Sequence, residues 1–459
     1  MSREAEKMNK IIALAKNRGF IFPGSDIYGG LANSYDFGPL GSELKKNIKD
    51  LWWKTFVRDR KDIVGIDANI IMNPKIWEAS GHIDSFTDPL VEDKKTHVRY
   101  RADHLLEDAE INASGMTLEE MGKIIGKKGI KSPDGNELTT PKQFNLMFKT
   151  FMGPVEDKDS IVHLRPETAQ AMFVDFAEVL RTSRKSIPFG IAQIGKAFRN
   201  EITTGNFIFR LREFEQMEIE YFIAPPKSKK DWEKHFNNWL EEIRKWLDLV
   251  GIDRKLIKEV DVPESERAHY SERTVDIEFE YPFGQKELYG LAYRTNYDLS
   301  QHEKSSGKSL KYKDLESGEE YIPHVIEPSM GVERTILAIL VSSYKEEKVK
   351  GETRVVLALP KTIAPFKVAV LPLSKKEELQ KLSEDIRADL SKSFVTDYDE
   401  TQSIGKRYRR QDEIGTPFCV TVDFDSLEDK MVTVRDRDSM KQERVAIDEL
   451  ESYLKEKLS

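Results

Sequence analysis

Phe198-Arg199-Asn200-Glu201, the turn-forming Ile202-Thr203-Thr204-Gly205-Asn206, and then Arg210-Leu211-Arg212-Glu213-Phe214-Glu215-Gln216-Met217-Glu218 form the stretch whose reading decides the fold. Strand-like runs, 189–201 and 209–222, flank the turn. Alternate residues of a strand share a face. Arg199 and Glu201 therefore point together beside the small Gly195 and Ala197, and Arg210, Arg212, Phe214 and Glu218 point together on the return. Paired, the runs would make one floor of arginines, glutamates and an aromatic ring. Two readings of that floor stand. It is an exposed hairpin laced with ion pairs, where charge is cheap, or a surface built around a ligand, since proteins seldom bury so many charges otherwise.

Outward from this stretch, residues 4–17 read as a short helix. Leu44, Ile48, Leu51, Trp52 and Phe56 recur at helical spacing through a long amphipathic helix over 38–58. A β-type run over 63–72 ends at Asn73-Pro74. Residues 84–160 are more polar, hold a helix over 118–125 and the turn Ser132-Pro133-Asp134-Gly135, and read as an insertion. Pro166 is placed to open a helix at its first position, with Met172, Phe173, Phe176 and Leu180 on the apolar face. Trp232, Phe236, Trp239, Ile243 and Trp246 form a core stripe; strands are expected at 274–281 and 286–294 and a helix over 330–343. Pro360 and Pro365 bracket a linker, beyond which strand, helix, strand, helix, strand, strand, helix reads as a separate α/β domain. The expected domains are 1–360 and 365–459.

A chain of 459 residues with 39% hydrophobic and 33% charged residues can build more than one core. Its net charge of −8 argues against a protein that coats nucleic acid indiscriminately but not against local patches. Lys406-Arg407-Tyr408-Arg409-Arg410 and the group Lys123, Lys127, Lys128 and Lys131 are such patches, with a solvated charged face as the plain reading of either alone. No apolar run reaches the roughly 18–20 residues of a membrane span, and the first residues lack a signal peptide's apolar core. The lone Cys419 excludes an intramolecular disulfide and a cysteine-built zinc site. A cytoplasmic protein with no membrane partner is expected.

A nucleotide complements the charged floor: guanidinium forks grip phosphates, a carboxylate accepts from an exocyclic amine, and a phenyl ring stacks on a purine. The residues also resemble a known class. Arg199-x-Glu201, a loop, then Arg210-x-x-x-Phe214-x-x-x-Glu218 matches the second signature motif of class II aminoacyl-tRNA synthetases. Gly331-Val332-Glu333-Arg334 matches the third, and the 38–58 helix, the run through Ile71 and Pro74 match the first. Arg165-Pro166-Glu167-Thr168-Ala169-Gln170, His324-Val325-Ile326-Glu327-Pro328-Ser329, Trp77-Glu78-Ala79-Ser80-Gly81-His82 and Arg101-Ala102-Asp103-His104-Leu105 resemble the homodimeric glycyl-tRNA synthetases in particular. Thr401-Gln402-Ser403-Ile404-Gly405-Lys406-Arg407-Tyr408 resembles an anticodon-binding domain. Some relatives carry paired cysteines just before Arg101; residues 92–99 hold none, so no zinc is expected.

The resemblance implies an α+β fold, an antiparallel sheet flanked by helices, followed by the anticodon-binding α/β domain. It implies a ligase that makes glycyl-adenylate from glycine and ATP, with Mg2+, and transfers glycine to the 3′ end of tRNA, as a homodimer. Arg199 would hold the α-phosphate and the glycine carboxylate, and Glu201 would face the adenine amine. Phe214 and Arg334 would sandwich the ring, and Arg210 would lie near the γ-phosphate. Asn200, Phe209, Leu211, Arg212, Glu213, Glu287, Leu288, Gly331, Val332 and Glu333 complete the implied nucleotide site. Glu167, Glu327 and Ser329 would grip the glycine ammonium, with Pro328 as a rigid turn pressing them close. Arg101, Phe214, Glu215, Gln216, Met217, Glu218, Met330 and Gly331 would lie around them. Two rival readings are a same-subclass synthetase for proline or threonine, and a non-catalytic nucleic-acid-binding relative. Glu327-Pro328-Ser329 and Arg165-Pro166-Glu167 speak against the first; the joint presence of Arg199, Glu201, Phe214 and Arg334 speaks against the second.

Overall fold

The computed structural model describes residues 3–458 apart from Ser114, Thr203, His269 and Lys350. Thr203 of the turn quoted above, with Met1 and Ser2, thus lies outside the described residues. The centre is a seven-stranded sheet of β1 (Ile63–Gly65), β2 (Phe189–Phe198), β3 (Glu213–Ile223), β4 (Ile257–Asp261), β5 (Arg273–Tyr281), β6 (Gly284–Thr295) and β7 (His324–Gly331). Its spatial order is β4-β5-β6-β7-β3-β2-β1. Every pair is antiparallel except β1 with β2.

Period-two alternation splits β3 cleanly. Met217, Ile219 and Tyr221 turn to one side and join the main core. There they meet helix 229–249, whose Trp232, Phe236, Trp239, Ile243 and Trp246 are buried. Ser228 and Asp231 cap that helix reciprocally. Phe214, Gln216, Glu218 and Glu220 turn to the other side, toward α2 (Ala169–Val174) and α4 (Tyr297–Ser306), numbered after α1 (Pro39–Trp53) and α3 (Phe176–Ser183).

Several expectations are corrected. Pro166 opens no helix: residues 164–168 are irregular and α2 starts at Ala169. Glu167 therefore does not sit in a first helical turn. The return strand begins at Glu213, after a short 3-10 turn at Phe207–Phe209, so Arg210 and Arg212 precede the ladder. Arg199 follows the end of β2, with its N–H donating to the Arg212 carbonyl at 2.9 Å. The 63–72 run narrows to β1 plus an isolated bridge from Ile71 to Leu164. Helix α1 continues as a π-turn over Lys54–Arg58. Trp52 and Phe56 are wholly buried, packed on each other and, through Phe56, on Trp239 and Trp246. Trp52 and Phe56 of this helix thus belong to the chain's own core, with Trp53 partly buried against it.

Residues 87–92, 99–101 and 142–145 form a separate three-stranded sheet in the insertion. Its 92–99 turn is fixed by Asp93, which accepts from the N–H groups of Lys95 and Thr96, from Ser132 Oγ and from Asn136 Nδ2.

At the C-terminal end, β8 (Val368–Pro372), β9 (Thr396–Tyr398), β10 (Phe418–Val422), β11 (Met431–Asp436) and β12 (Gln442–Ala446) make a second sheet in the order β9-β8-β10-β11-β12, one strand more than the sequence pattern suggested. The stretch between the prolines is packed, not loose. Ile363 and Ala364 are fully buried, and both carbonyls accept from Asn47 Nδ2. Arg354, also buried, donates to Asp412 at 2.7 Å and Glu347 at 2.7 Å, and Arg435 closes on the same Asp412 at 2.9 Å. Among the described residues, no helix is long and apolar enough to cross a membrane.

Candidate active site

Gly195 lies opposite Gln216 in the β2–β3 ladder. A Cβ there would stand 2.2 Å from Arg165 Nη2, so the guanidinium occupies the space that a side chain would need. Arg165 is buried and spends its donors on the carbonyls of Lys196 at 2.6 Å and Ala68 at 2.9 Å. It is a brace that fixes the chain just before Glu167.

One end of the floor is a cleft of about 140 Å³ lined by Arg199, Glu201, Phe209, Phe214, Glu287 and Arg334, with Arg210, Leu211, Leu288 and Gly331 also on its walls. The Arg199 guanidinium lies 5.3 Å from the Phe214 ring and 5.4 Å from the Phe86 ring, held by one bond to the Pro166 carbonyl at 3.0 Å. Arg334 lies 4.5 Å over Phe209 and donates to the Glu287 carboxylate at 3.0 Å. Phe209 is therefore the ring under Arg334, and Phe214 the ring under Arg199. A wider opening of about 720 Å³ adjoins this cleft across Leu211 and Phe214, between residues 31–37 and the strands, and Asn200 lines it. Arg212 donates to the Glu201 carbonyl, while Glu213 turns outward to pair with Lys196.

At the other end is a well of buried carboxylates. Glu218 accepts from Thr168 Oγ1, from Ser329 Oγ at 2.7 Å and from Gln216 Nε2 at 3.3 Å. Glu327 accepts from Arg294 Nη1 at 3.0 Å. Arg294 gives its other edge to Asp298 at 2.9 and 2.8 Å, and lies 3.7 Å over the Tyr270 ring. Glu167 accepts from Gln170 at 2.9 Å and faces His82 Nε2 at 3.4 Å. Ser80 in turn bonds His82 Nδ1 at 2.8 Å, which explains the 77–82 segment: its histidine faces an acid of the well. Burial works to raise the Glu167 carboxyl, but His82 and Arg294 outweigh it and hold it well below the usual range. Burial, against Arg294, pushes Glu327 up to about 8, with Glu218 and Glu167 adding to the rise.

Pro328 is no turn. It lies within β7 opposite Leu291 on β6. Alternation, not a bend, puts Glu327, Ser329 and Gly331 on the well's face and sends Pro328 and Met330 to the other. Met330, Met217 and Val332 belong to the hydrophobic core. Glu215 and Glu333 meet on the wall of the wider opening, and Glu333 also lines the cleft; Glu333 accepts from the Glu215 N–H at 2.9 Å and both pair with Lys45 at 2.7 Å. Arg101 is bound by Asp88 at 2.9 Å and Asp103 at 2.6 Å, and Glu201, on the arginine side, is among the acids whose charge reaches it.

Glu220, Arg294 and Asp298 were not singled out from the sequence. Continuing the 214, 216, 218 alternation by one step finds Glu220. Arg294 and Asp298 are spaced like a helical pair across a strand end, a signal without meaning until β6 and α4 are folded together. One carboxylate oxygen from each of Glu218, Glu220 and Glu327 lies within 4.8 Å of the other two. Since Thr168, Ser329 and Arg294 already donate to two of them, the remaining acceptors suit a small ammonium, with its few donors, better than a full metal shell.

The family described as tRNA synthetase class II core domain (G, H, P, S and T) matches residues 150–343, and that described as anticodon binding domain matches 367–457. A glycine–tRNA ligase of Caldanaerobacter subterraneus is 55% identical, with 98% of each chain covered. One from Staphylococcus epidermidis is 53% identical, with 99% of each covered, and one from Bacillus cereus 50%, with 98% of this chain and 99% of that one. The fold resembles Cryptosporidium parvum prolyl-tRNA synthetase solved with halofuginone and AMPPNP, at a TM-score of 0.65 and 17% identity over 100% of this chain and 78% of that one. With such identity over nearly its whole length, on a class II core, this chain belongs to the glycine–tRNA ligase family.

Proposed function

We propose how the parts divide the work of a ligase that joins glycine to its tRNA at the expense of ATP. The arginine-lined cleft takes ATP as its magnesium complex, and the acid well takes the glycine ammonium. The observation that carries this reading is their contiguity. Gln216 and Ser329 line the cleft and also bond Glu218 in the well, so a ligand as short as glycine, three bonds from its nitrogen to a carboxylate oxygen, can reach from one to the other. Glu167, Glu218, Glu327 and Ser329 offer the acceptors; Arg199, over Phe214, faces the place where the glycine carboxylate meets the α-phosphate.

No general base is needed in the first step, because the carboxylate is already a nucleophile at neutral pH. It attacks the α-phosphate in line and diphosphate leaves. Positioning and cationic stabilisation by Arg199 and Arg334 supply the catalysis. In the second step the 3′-terminal ribose hydroxyl of tRNA attacks the activated carbonyl and releases AMP. Phe214 and Phe209 offer faces to the purine, with Glu201 and Glu287 at its edge. Amino-acid-dependent exchange of diphosphate into ATP tests the assignment: glycine should drive it, and exchange driven best by alanine, proline or threonine would overturn it.

We assign residues 1–360 to activation and 365–459 to the anticodon, in a cytoplasmic homodimer. The basic run of α7 (Ile404–Ile414; α5 is Val332–Ser343, α6 Glu377–Leu390) is largely committed inside the chain. Arg407 is buried against the carbonyls of Pro372, Asp399 and Leu373, and Arg410 pairs with Asp399. Lys406 and Arg409 are left as its candidate RNA contacts. Light scattering should return about twice the 53.0 kDa chain mass at micromolar concentration; the single-chain mass would refute the dimer.

A further inference from the structure

Glu220 has no place in the reading so far. It follows Glu218 on the same face of β3 and neighbours Glu327 across the ladder, between the pairs Glu218 with Ser329 and Tyr221 with Ile326. On its other side is Ile191 of β2. It is fully buried, and among the described residues neither carboxylate oxygen accepts a hydrogen bond. The groups facing it bring little relief. Glu218 is on its own strand, Glu327 on β7, Arg294 on β6 and Asp298 on α4, with Glu167 before α2 beyond them. Arg294 divides its donors between Asp298 and Glu327. His82 faces Glu167, His302 bonds Gln170 at 2.8 Å, and Tyr270 lies over Arg294.

The carboxylates of the well thus outnumber its cations. An unpaired buried carboxylate neutralises rather than bear the cost of desolvation, and carboxylates that share a site cannot all ionise. Burial first, then the Glu327 charge, drives the Glu220 carboxyl far above its ordinary range.

We propose that before glycine arrives Glu220 holds a proton beside Glu218 and Glu327, and that the glycine ammonium enters in exchange for it. This rests on the assignment of the well to the ammonium. The balance is simple: ammonium enters, one proton leaves to solvent, no covalent bond to carbon changes, and the charge of the well is conserved. The proton and the ammonium compete, so glycine affinity rises with pH, by up to about tenfold per unit around neutrality, until the amino group itself deprotonates. Glu220 then has a specific role: its proton keeps the well intact without substrate and yields to a cation small enough to replace it.

Calorimetric titration of glycine into the whole protein, in buffers of low and high ionisation heat at one near-neutral pH, counts the protons released. About one is expected for the wild type and clearly less for Glu220→Gln, whose amide is neutral at any pH and which leaves only the raised Glu327 to give a proton up. No release by the wild type, or equal release by Glu220→Gln, overturns the proposal. If that variant does not fold, the wild-type infrared difference spectrum decides: a protonated-carboxyl band should vanish on glycine addition, and its persistence overturns the proposal. Glu327→Ala separates the two ideas, since glycine binding unaltered in that variant refutes the ammonium assignment, whatever the proton count.

Discussion

The cleft and the well are built on the same strands, β3 and β7, yet handle charge in opposite ways. In the cleft, Arg199 is held by one bond to the Pro166 carbonyl, Arg334 donates to the Phe209 carbonyl and to Glu287, and both lie over aromatic rings on the wall of the opening. In the well, Arg294 is wholly buried and its donors are committed to carboxylates. The C-terminal Arg354 behaves like Arg294, buried and committed to Asp412 and Glu347. An arginine held loosely beside an opening can respond to a changing charge. One that is saturated can only hold geometry. Access to the opening, not the density of arginines in the sequence, separates the two: the Arg334 side chain is 25% exposed and that of Arg294 1%.

The comparison breaks most decisively on the cleft side. Arg199→Ala or Arg334→Ala should lower glycine-dependent diphosphate exchange roughly 10³-fold or more, because each cation faces charge that redistributes in phosphoryl transfer. Circular dichroism should be unaltered, since neither residue carries a buried network. A folded Arg199→Ala protein with near-normal exchange would show the cleft arginines to be as structural as Arg294. The well should respond differently. Glu327→Ala is expected to weaken glycine binding by about 2–5 kcal/mol, the range for removing one partner of a buried charge pair, with ATP affinity changed far less; calorimetry with each ligand reads both. Loss of ATP binding alone would mean that the two sites had been assigned to the wrong ends. The smallest effect belongs to Ser329→Ala, which deletes a donor to Glu218 at 2.7 Å. About 1–2 kcal/mol of glycine affinity should go with it, and a larger loss than for Glu327→Ala would invert the ranking within the well.

What could be read from the sequence follows locality. Period-two alternation placed Phe214 and Glu218 on one face and survives in β3, because both periodicity and pairing are set within a few residues. Helix 229–249 was legible for the same reason: its aromatic stripe needs only helical spacing. Signals that depend on distant partners misled. Helical spacing put Trp52 and Phe56 on an apolar face but could not say what covers it, which is Trp239 and Trp246 of a distant helix. Pro166 looked like a helix start, but Arg165 is tied to Lys196 and Ala68, which holds the chain extended through Glu167 and delays the helix to Ala169. Arg407 read as a solvated charge, and nothing near it in sequence announces the carbonyls of Pro372 and Leu373 that bury it. Arg294 and Asp298 were silent because their meaning lies in Glu327 and Gln170, supplied by other elements.

The segment between Pro360 and Pro365 has a mechanical consequence. Asn47 grips its carbonyls from α1, and Arg354 fastens the hairpin before it to Asp412 on α7. The catalytic sheet and the anticodon-binding unit are therefore joined by a bracket and not a tether. An RNA touching both would meet a caliper whose gap is set when the protein folds. Little ordering entropy remains to be lost in closing it, and an RNA with the wrong span between its two ends would be refused by length before any base is read.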